Sequence, residues 1–161
     1  MFANLSLSQN LDSFYVSRIN DTILSKYLNE KRPIEIQLPR SYDTNPEKKY
    51  PLIVVLDGDY MFNIVAGSVD YLSYWGDIPE NLIVGINQKE TRFKDSSVLD
   101  NITHTPITST ASFYDFIVNE VIPYFSKNYR ISNFRVILGQ ERTANFANFF
   151  LLKKNPVFQA F

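Results

Sequence analysis

The chain of 161 residues has no cysteine and a single histidine, His104. Thiol catalysis, iron–sulfur clusters and thiolate zinc sites are thereby excluded, and one imidazole cannot build a histidine metal cluster. Neither metal nor cofactor is expected. An excess of one charge is also missing: 16 Lys+Arg stand against 17 Asp+Glu. Without a basic block there is no electrostatic footprint for phosphate backbones, so nucleic acid is not an expected partner. Long apolar runs are lacking as well. The longest, 52–56 and 149–152, fall far short of the roughly 20 residues a membrane helix needs, so no membrane span is expected. Residues 1–10 carry neither the charged start nor the continuous apolar stretch of a secretory signal. Cytoplasm is therefore the default expectation, while absence of cysteine suits a periplasmic or secreted protein equally.

What is present is apolar and aromatic: 45% of residues are hydrophobic and 15% aromatic. A domain of this size buries roughly 70% of the surface its unfolded chain exposes, so one soluble globular domain, 13–161, is expected after a leader, 1–12. Partial alternation over 13–19 followed by Asn20-Asp21 reads as a strand and turn, and 33–38 (Pro-Ile-Glu-Ile-Gln-Leu) alternates strictly. Both have the pattern of half-exposed antiparallel strands. By contrast 52–56, 81–86 and 134–138 are nearly continuous apolar segments, the pattern of strands buried on both faces of a parallel sheet. Helical spacing fills the intervals. Val65, Val69, Leu72 and Trp75 form one stripe stopped by Gly76. A second helix is expected to begin near Ser112 with Asp115 and to kink or restart at Pro123. A third covers 143–153 with Phe146, Phe149 and Phe150 on one side. Two antiparallel strands followed by alternating units predict an α/β sheet with right-handed crossovers.

The string 31–39 (Lys-Arg-Pro-Ile-Glu-Ile-Gln-Leu-Pro), Tyr42-Asp43, and 50–58 (Tyr-Pro-Leu-Ile-Val-Val-Leu-Asp-Gly) opens an ordered set of motifs. It continues through Ile78-Pro79, Leu82-Ile83-Val84-Gly85-Ile86, Thr91-Arg92 with Asp95, Val121-Ile122-Pro123-Tyr124, Asn128-Tyr129-Arg130 and Arg135-Val136-Ile137-Leu138-Gly139. In order and spacing the set resembles the Putative esterase family of α/β-hydrolases, which includes enterochelin-type and S-formylglutathione-type esterases, over about residues 15–161. The resemblance implies the N-terminal part of an α/β-hydrolase sandwich. Its sheet would be mostly parallel with two antiparallel leading strands and helices on both faces, and the family's substrates are small esters.

In that family the last buried strand enters a nucleophile elbow, G-x-S-x-G, whose serine is exposed on a strained turn. Here the turn reads Gly139-Gln140-Glu141-Arg142-Thr143. Glutamate stands at the nucleophile position and threonine at the second glycine, which is expected to remove the support of the turn as well as its hydroxyl. The family order of serine, acid, histidine would put both missing partners after Phe161, and His104 matches no family motif. Resemblance also implies oxyanion donors at Gly58 and Asp59, after the first buried strand, and at Arg142, after the nucleophile position.

Each candidate has a plain structural reading beside the functional one. Glu141 is either an acid at a helix N-terminus or a carboxylate nucleophile of the kind dehalogenases and epoxide hydrolases use. Asp57-Gly58-Asp59 is either an oxyanion turn or simply a tight strand-to-helix connection, and two acids fall short of a calcium shell. His104 reads as a surface loop residue, the aromatics as core, and the Lys48-Lys49 and Lys153-Lys154 pairs as solvated ends. The resulting expectation is an esterase homologue inactive as a serine esterase. Two alternatives stand beside it: an interaction module whose exposed sheet edge pairs with a second copy or a partner chain, and part of a longer active carboxylic-ester hydrolase.

Overall fold

The computed structural model of the protein describes residues 16–161. The elements in chain order are β1 (Arg18–Ser25), β2 (Glu30–Gln37), β3 (Tyr50–Val55), α1 (Gly58–Tyr74), β4 (Leu82–Ile86), α2 (Arg92–Ser96), α3 (Thr108–Phe116), a π-helical turn (Ile117–Val121), α4 (Ile122–Asn128), β5 (Ile131–Leu138), α5 (Arg142–Asn148) and a 3-10 turn (Phe149–Leu152). The sheet order is β1-β2-β4-β3-β5. β1 and β2 are antiparallel to their neighbours, and β4, β3 and β5 run parallel, as the change from alternating to continuous apolar patterning predicts.

Helices cover both faces. Leu52, Val54, Val84 and Ile86 face Phe113, Phe116, Val121, Phe125, Phe146 and Phe150 from α3 through the 3-10 turn. Ile53, Val55 and Ile83 face Phe62, Val65 and Ala66 of α1. Period-two alternation in the strands thus feeds two separate clusters, one per face. Pro123 restarts the helix as expected: the preceding turn widens, and the Ile122 N–H reaches back five residues to Ile117 O. A proline cannot supply the next helical N–H, and a π-turn absorbs that loss.

Several expectations are corrected. Among the described residues the first strand is Arg18–Ser25, which runs on past the expected end at Ile19; Ser13 to Tyr15 and the leader 1–12 lie outside the described residues. Asn20 and Asp21 are not a turn; they pair with Glu35 and Ile34, because the eight-residue ladder with β2 outweighs their local turn preference. The actual reversal contains Asn29 at φ 52°. The second expected helix, α3, begins at Thr108, four residues before Ser112, since the Ile107 carbonyl already accepts the N–H groups of Thr110 and Ala111. β5 is not buried on both faces: Phe134 is 49% exposed and Ile137 alone is fully covered. Nor is the outer edge of β5 bare. Ile137 N–H donates to Ala160 O and Gln159 N–H to Arg135 O, and Val136 pairs in parallel with Ala160. The segment 159–160 thus lies along that edge through an isolated bridge. Finally, Leu72 and Trp75 of the α1 stripe are exposed, because the helix outruns the sheet that buries Phe62 and Val65.

Candidate functional site

Two turns meet at the carboxyl end of the parallel strands. The Leu56 N–H donates to Leu138 O at 2.8 Å, so β3 and β5 stay in register up to the point where each leaves the sheet. Just beyond that point on each chain segment the backbone becomes left-handed or nearly so: Asp57 has φ 53° and ψ 41°, and Glu141 has φ 55° and ψ −107°. Such conformations cost non-glycine residues about 1–3 kcal/mol each, so they persist only when surrounding contacts fix them.

Those contacts are visible. The Thr143 hydroxyl is buried, accepts the Gln140 N–H at 2.9 Å and donates to Asp57 Oδ2 at 2.7 Å. Arg92, delivered by α2, grips the same carboxylate with Nε–Oδ1 at 2.8 Å and Nη2–Oδ2 at 3.2 Å, and donates from Nη2 to Gln140 O at 3.0 Å. The Tyr60 hydroxyl donates to Gln140 Oε1 and lies 3.2 Å from Asp57 Oδ2. The hydrogen bonds from Arg92 to Asp57 hold the guanidinium charged, with its pKa well above its ordinary value. Burial, followed by the negative charge of Asp57, raises the Tyr60 phenol. Asp57 is therefore an anchor between two turns, already engaged by an arginine and a hydroxyl.

The expectation that Thr143 removes support from the turn is thus overturned. Residue 143 lies in regular helix at the start of α5, where a Cβ is tolerated, and its hydroxyl ties the turn to Asp57. The close-packed position is Gly139 instead. A Cβ there would lie 2.6 Å from the Thr143 carbonyl carbon and 2.8 Å from Ala144 N. Gly139→Ala is expected to destabilise the protein by about 1–3 kcal/mol in urea denaturation, because backbone must move to admit the methyl group. Gly58 is similarly constrained, its added Cβ falling 2.7 Å from the backbone at Gly85 and Ile86.

Glu141 sits at the apex. Its side chain is 72% exposed, makes no cap hydrogen bond to α5, and approaches only Arg92 Nη1, at 3.4 Å from Oε2. It borders a recess of about 270 Å³ lined also by Ser96, Ser97, Leu99, Arg142 and Asn145. The Arg142 guanidinium donates to Ser97 Oγ at 3.2 Å and lies over the Phe93 ring. Asp59 Oδ1 accepts the Gln88 N–H at 2.9 Å, which gives that acid a connecting role. His104 is exposed at φ 53° in the 97–107 loop and does not line the recess. The structure therefore joins the turn that holds Gly58 and Asp59 to the turn that holds Glu141 and Arg142, through Asp57 and Tyr60, and His104 does not line the recess. Tyr60, Gln140 and the tie through Thr143 have no sequence signal of their own. Arg92 has one, the Thr91-Arg92 motif, without an indication of its partner.

A mixed sheet in this order, with a strained turn between β5 and α5, is the arrangement of the α/β-hydrolase fold. The Putative esterase family model matches residues 25–160, and the chain belongs to that family. No curated protein sequence matches it. Among solved structures it is similar to an uncharacterised protein from Capnocytophaga ochracea, with 29% identity, a TM-score of 0.78, and 88% of this chain and 38% of that one covered. It is also similar in fold to an IroE-like serine hydrolase from Shewanella oneidensis, with 24% identity, a TM-score of 0.76, and coverage of 88% and 48%. The enterobactin esterase of Shigella flexneri, determined with enterobactin, shares the fold at 19% identity and a TM-score of 0.69, with coverage of 88% and 35%. The chain thus spans less than half the length of these three proteins. Among the described residues no helix is long and apolar enough to cross a membrane.

Proposed function

We propose that this chain is an esterase-family domain that keeps the nucleophile elbow as a scaffold and does not act as a serine esterase. The observation that carries the reading is Glu141, a carboxylate at the apex of a turn with φ 55° and ψ −107°. Acyl transfer by the family route needs a nucleophile, a base to take its proton, and donors for the oxyanion. A carboxylate has no proton to surrender to a base, and the neighbouring titratable side chains are Arg92, Asp57 and Tyr60, none of them an imidazole. Gly58, Asp59 and Arg142 remain the candidate oxyanion donors, but donors alone do not form a tetrahedral intermediate. The reading rests on residue 141 itself, which occupies the attacking position.

The closeness of Arg92 to Glu141 also argues against a carboxylate nucleophile, since a paired cation lowers the tendency of an oxygen to attack. Incubation with p-nitrophenyl acetate is expected to give no turnover above buffer, and a fluorophosphonate probe no adduct by intact mass. A fluorophosphonate adduct mapped to any serine of this chain would overturn the proposal.

A further inference from the structure

At its far end α1 carries a second recess, of about 330 Å³, formed by Arg40, Asp70, Tyr71, Tyr74 and Trp75. The helix starts beside the elbow and has 17 residues, so this recess lies about 25 Å from the site described above. Tyr71 and Trp75 are 64% and 66% exposed. Yet the rings are not loose. Trp75 meets Tyr74 edge-on at 5.3 Å between centroids, and the Arg40 guanidinium lies 5.3 Å from the centre of the Tyr74 ring. The helix end is fixed by a Schellman pair, with Gly76 N–H to Ser73 O and Asp77 N–H to Leu72 O, made possible by Gly76 at φ 83°.

The polar element of the recess is an ion pair, Arg40 Nε and Nη2 each 2.8 Å from an oxygen of Asp70. Both side chains are only partly exposed; their charges offset one another, and Glu80, whose charge also reaches Arg40, is itself paired with Lys48. Two rings held against each other, Tyr74 and Trp75, with the exposed Tyr71 one turn back on the same helix and an internally paired set of donors and acceptors beside them, suit a ligand that is uncharged, has flat C–H faces and carries hydroxyl groups. A charged ligand would compete with the Arg40–Asp70 pair for its partners, and a purely apolar ligand would bury it without compensation. We propose that this recess is a saccharide-binding site, in which pyranose C–H faces pack on Trp75 and Tyr71 and hydroxyls bond to Asp70 and Arg40. The contact that already holds Trp75 against Tyr74 reduces the entropy lost on association.

Trp75 is the only tryptophan in the sequence, so its fluorescence reports on this recess directly. Titration with maltoheptaose, cellohexaose and chitohexaose at up to millimolar concentrations is expected to give a saturable change in emission for at least one of them. Tyr71→Ala is expected to weaken that binding about tenfold, with unchanged far-UV circular dichroism. Unaltered emission with all three sugars in the folded protein would overturn the proposal. So would a sugar-independent blue shift that grows with protein concentration and accompanies dimers in sedimentation, because the rings would then be covered by a second copy.

Discussion

Thr143→Val is expected to lower stability by about 2–3 kcal/mol, although it exchanges one β-branched side chain for another of nearly the same shape. The substitution leaves the buried Asp57 carboxylate without its 2.7 Å donor and the Gln140 N–H without its 2.9 Å acceptor. Water has little access, since Thr143 and Asp57 are both buried. Arg92 still holds the Asp57 carboxylate, so the loss is one hydrogen bond to a buried charged acceptor together with the acceptor of the Gln140 N–H, and a bond to a charged group is worth more than one between neutral groups. At this chain length the corresponding fall in melting temperature is about 4–12 °C. Thr143→Ser keeps the hydroxyl and is expected to lose no more than about 1 kcal/mol, the value of a methyl group. Parallel urea denaturation of the three proteins separates the explanations. If valine and serine variants are equally destabilised, packing rather than the hydroxyl supports the turn.

Asp95→Ala is expected to have the larger effect, about 3–5 kcal/mol, because it takes the bidentate, buried partner from Arg32 and leaves the core guanidinium with Glu30 as its remaining carboxylate. Arg32 is almost fully buried and pairs with Asp95 through Nη1–Oδ2 at 2.5 Å and Nη2–Oδ1 at 3.2 Å. Burial works against the guanidinium charge, but hydrogen bonds and Coulomb attraction from Asp95 and then Glu30 prevail and raise its pKa. Its plane also lies over Phe113 at 5.3 Å, so the cation is held between a carboxylate and an aromatic face. Asp95 additionally accepts from Thr91 Oγ1 at 2.6 Å and Gln88 Nε2 at 3.2 Å.

This network has a consequence for the site. α2 is five residues long and presents Arg92 to the elbow from the turn that Asp95 anchors, so loosening Asp95 also loosens the grip of Arg92 on Asp57. The double replacement of Arg32 by Met and Asp95 by Leu is expected to cost clearly less than the sum of the two single changes, as apolar groups need no partner. Denaturant midpoints for the single and double variants test this. Additive losses would show that the two side chains act independently.

The contacts behind these effects are only partly legible in the sequence. Continuous apolar runs at 52–56 and 82–86 mark the buried parallel strands because both faces of those strands meet helices. Pro123 and Gly76 mark breaks through backbone chemistry that is local. The first strand runs past its expected end although Asn20 and Asp21 favour turns in isolation, because eight paired residues outweigh that preference. Phe134 reads like a core residue, but its exposure follows from the place of β5 in the sheet, which no local pattern encodes.

The same division applies at the elbow. Sequence alone determined that residue 141 is a carboxylate rather than a hydroxyl, that the strand-turn-helix order surrounds it, and that neither thiol nor histidine cluster is available. It could not determine whether the turn would relax once its second glycine became threonine, because that outcome depends on a partner 86 residues away in Asp57. Only the tertiary structure decided it. Bringing β3 beside β5 places an acceptor within reach of the Thr143 hydroxyl, and a strained backbone persists where long-range bonds outweigh its local cost.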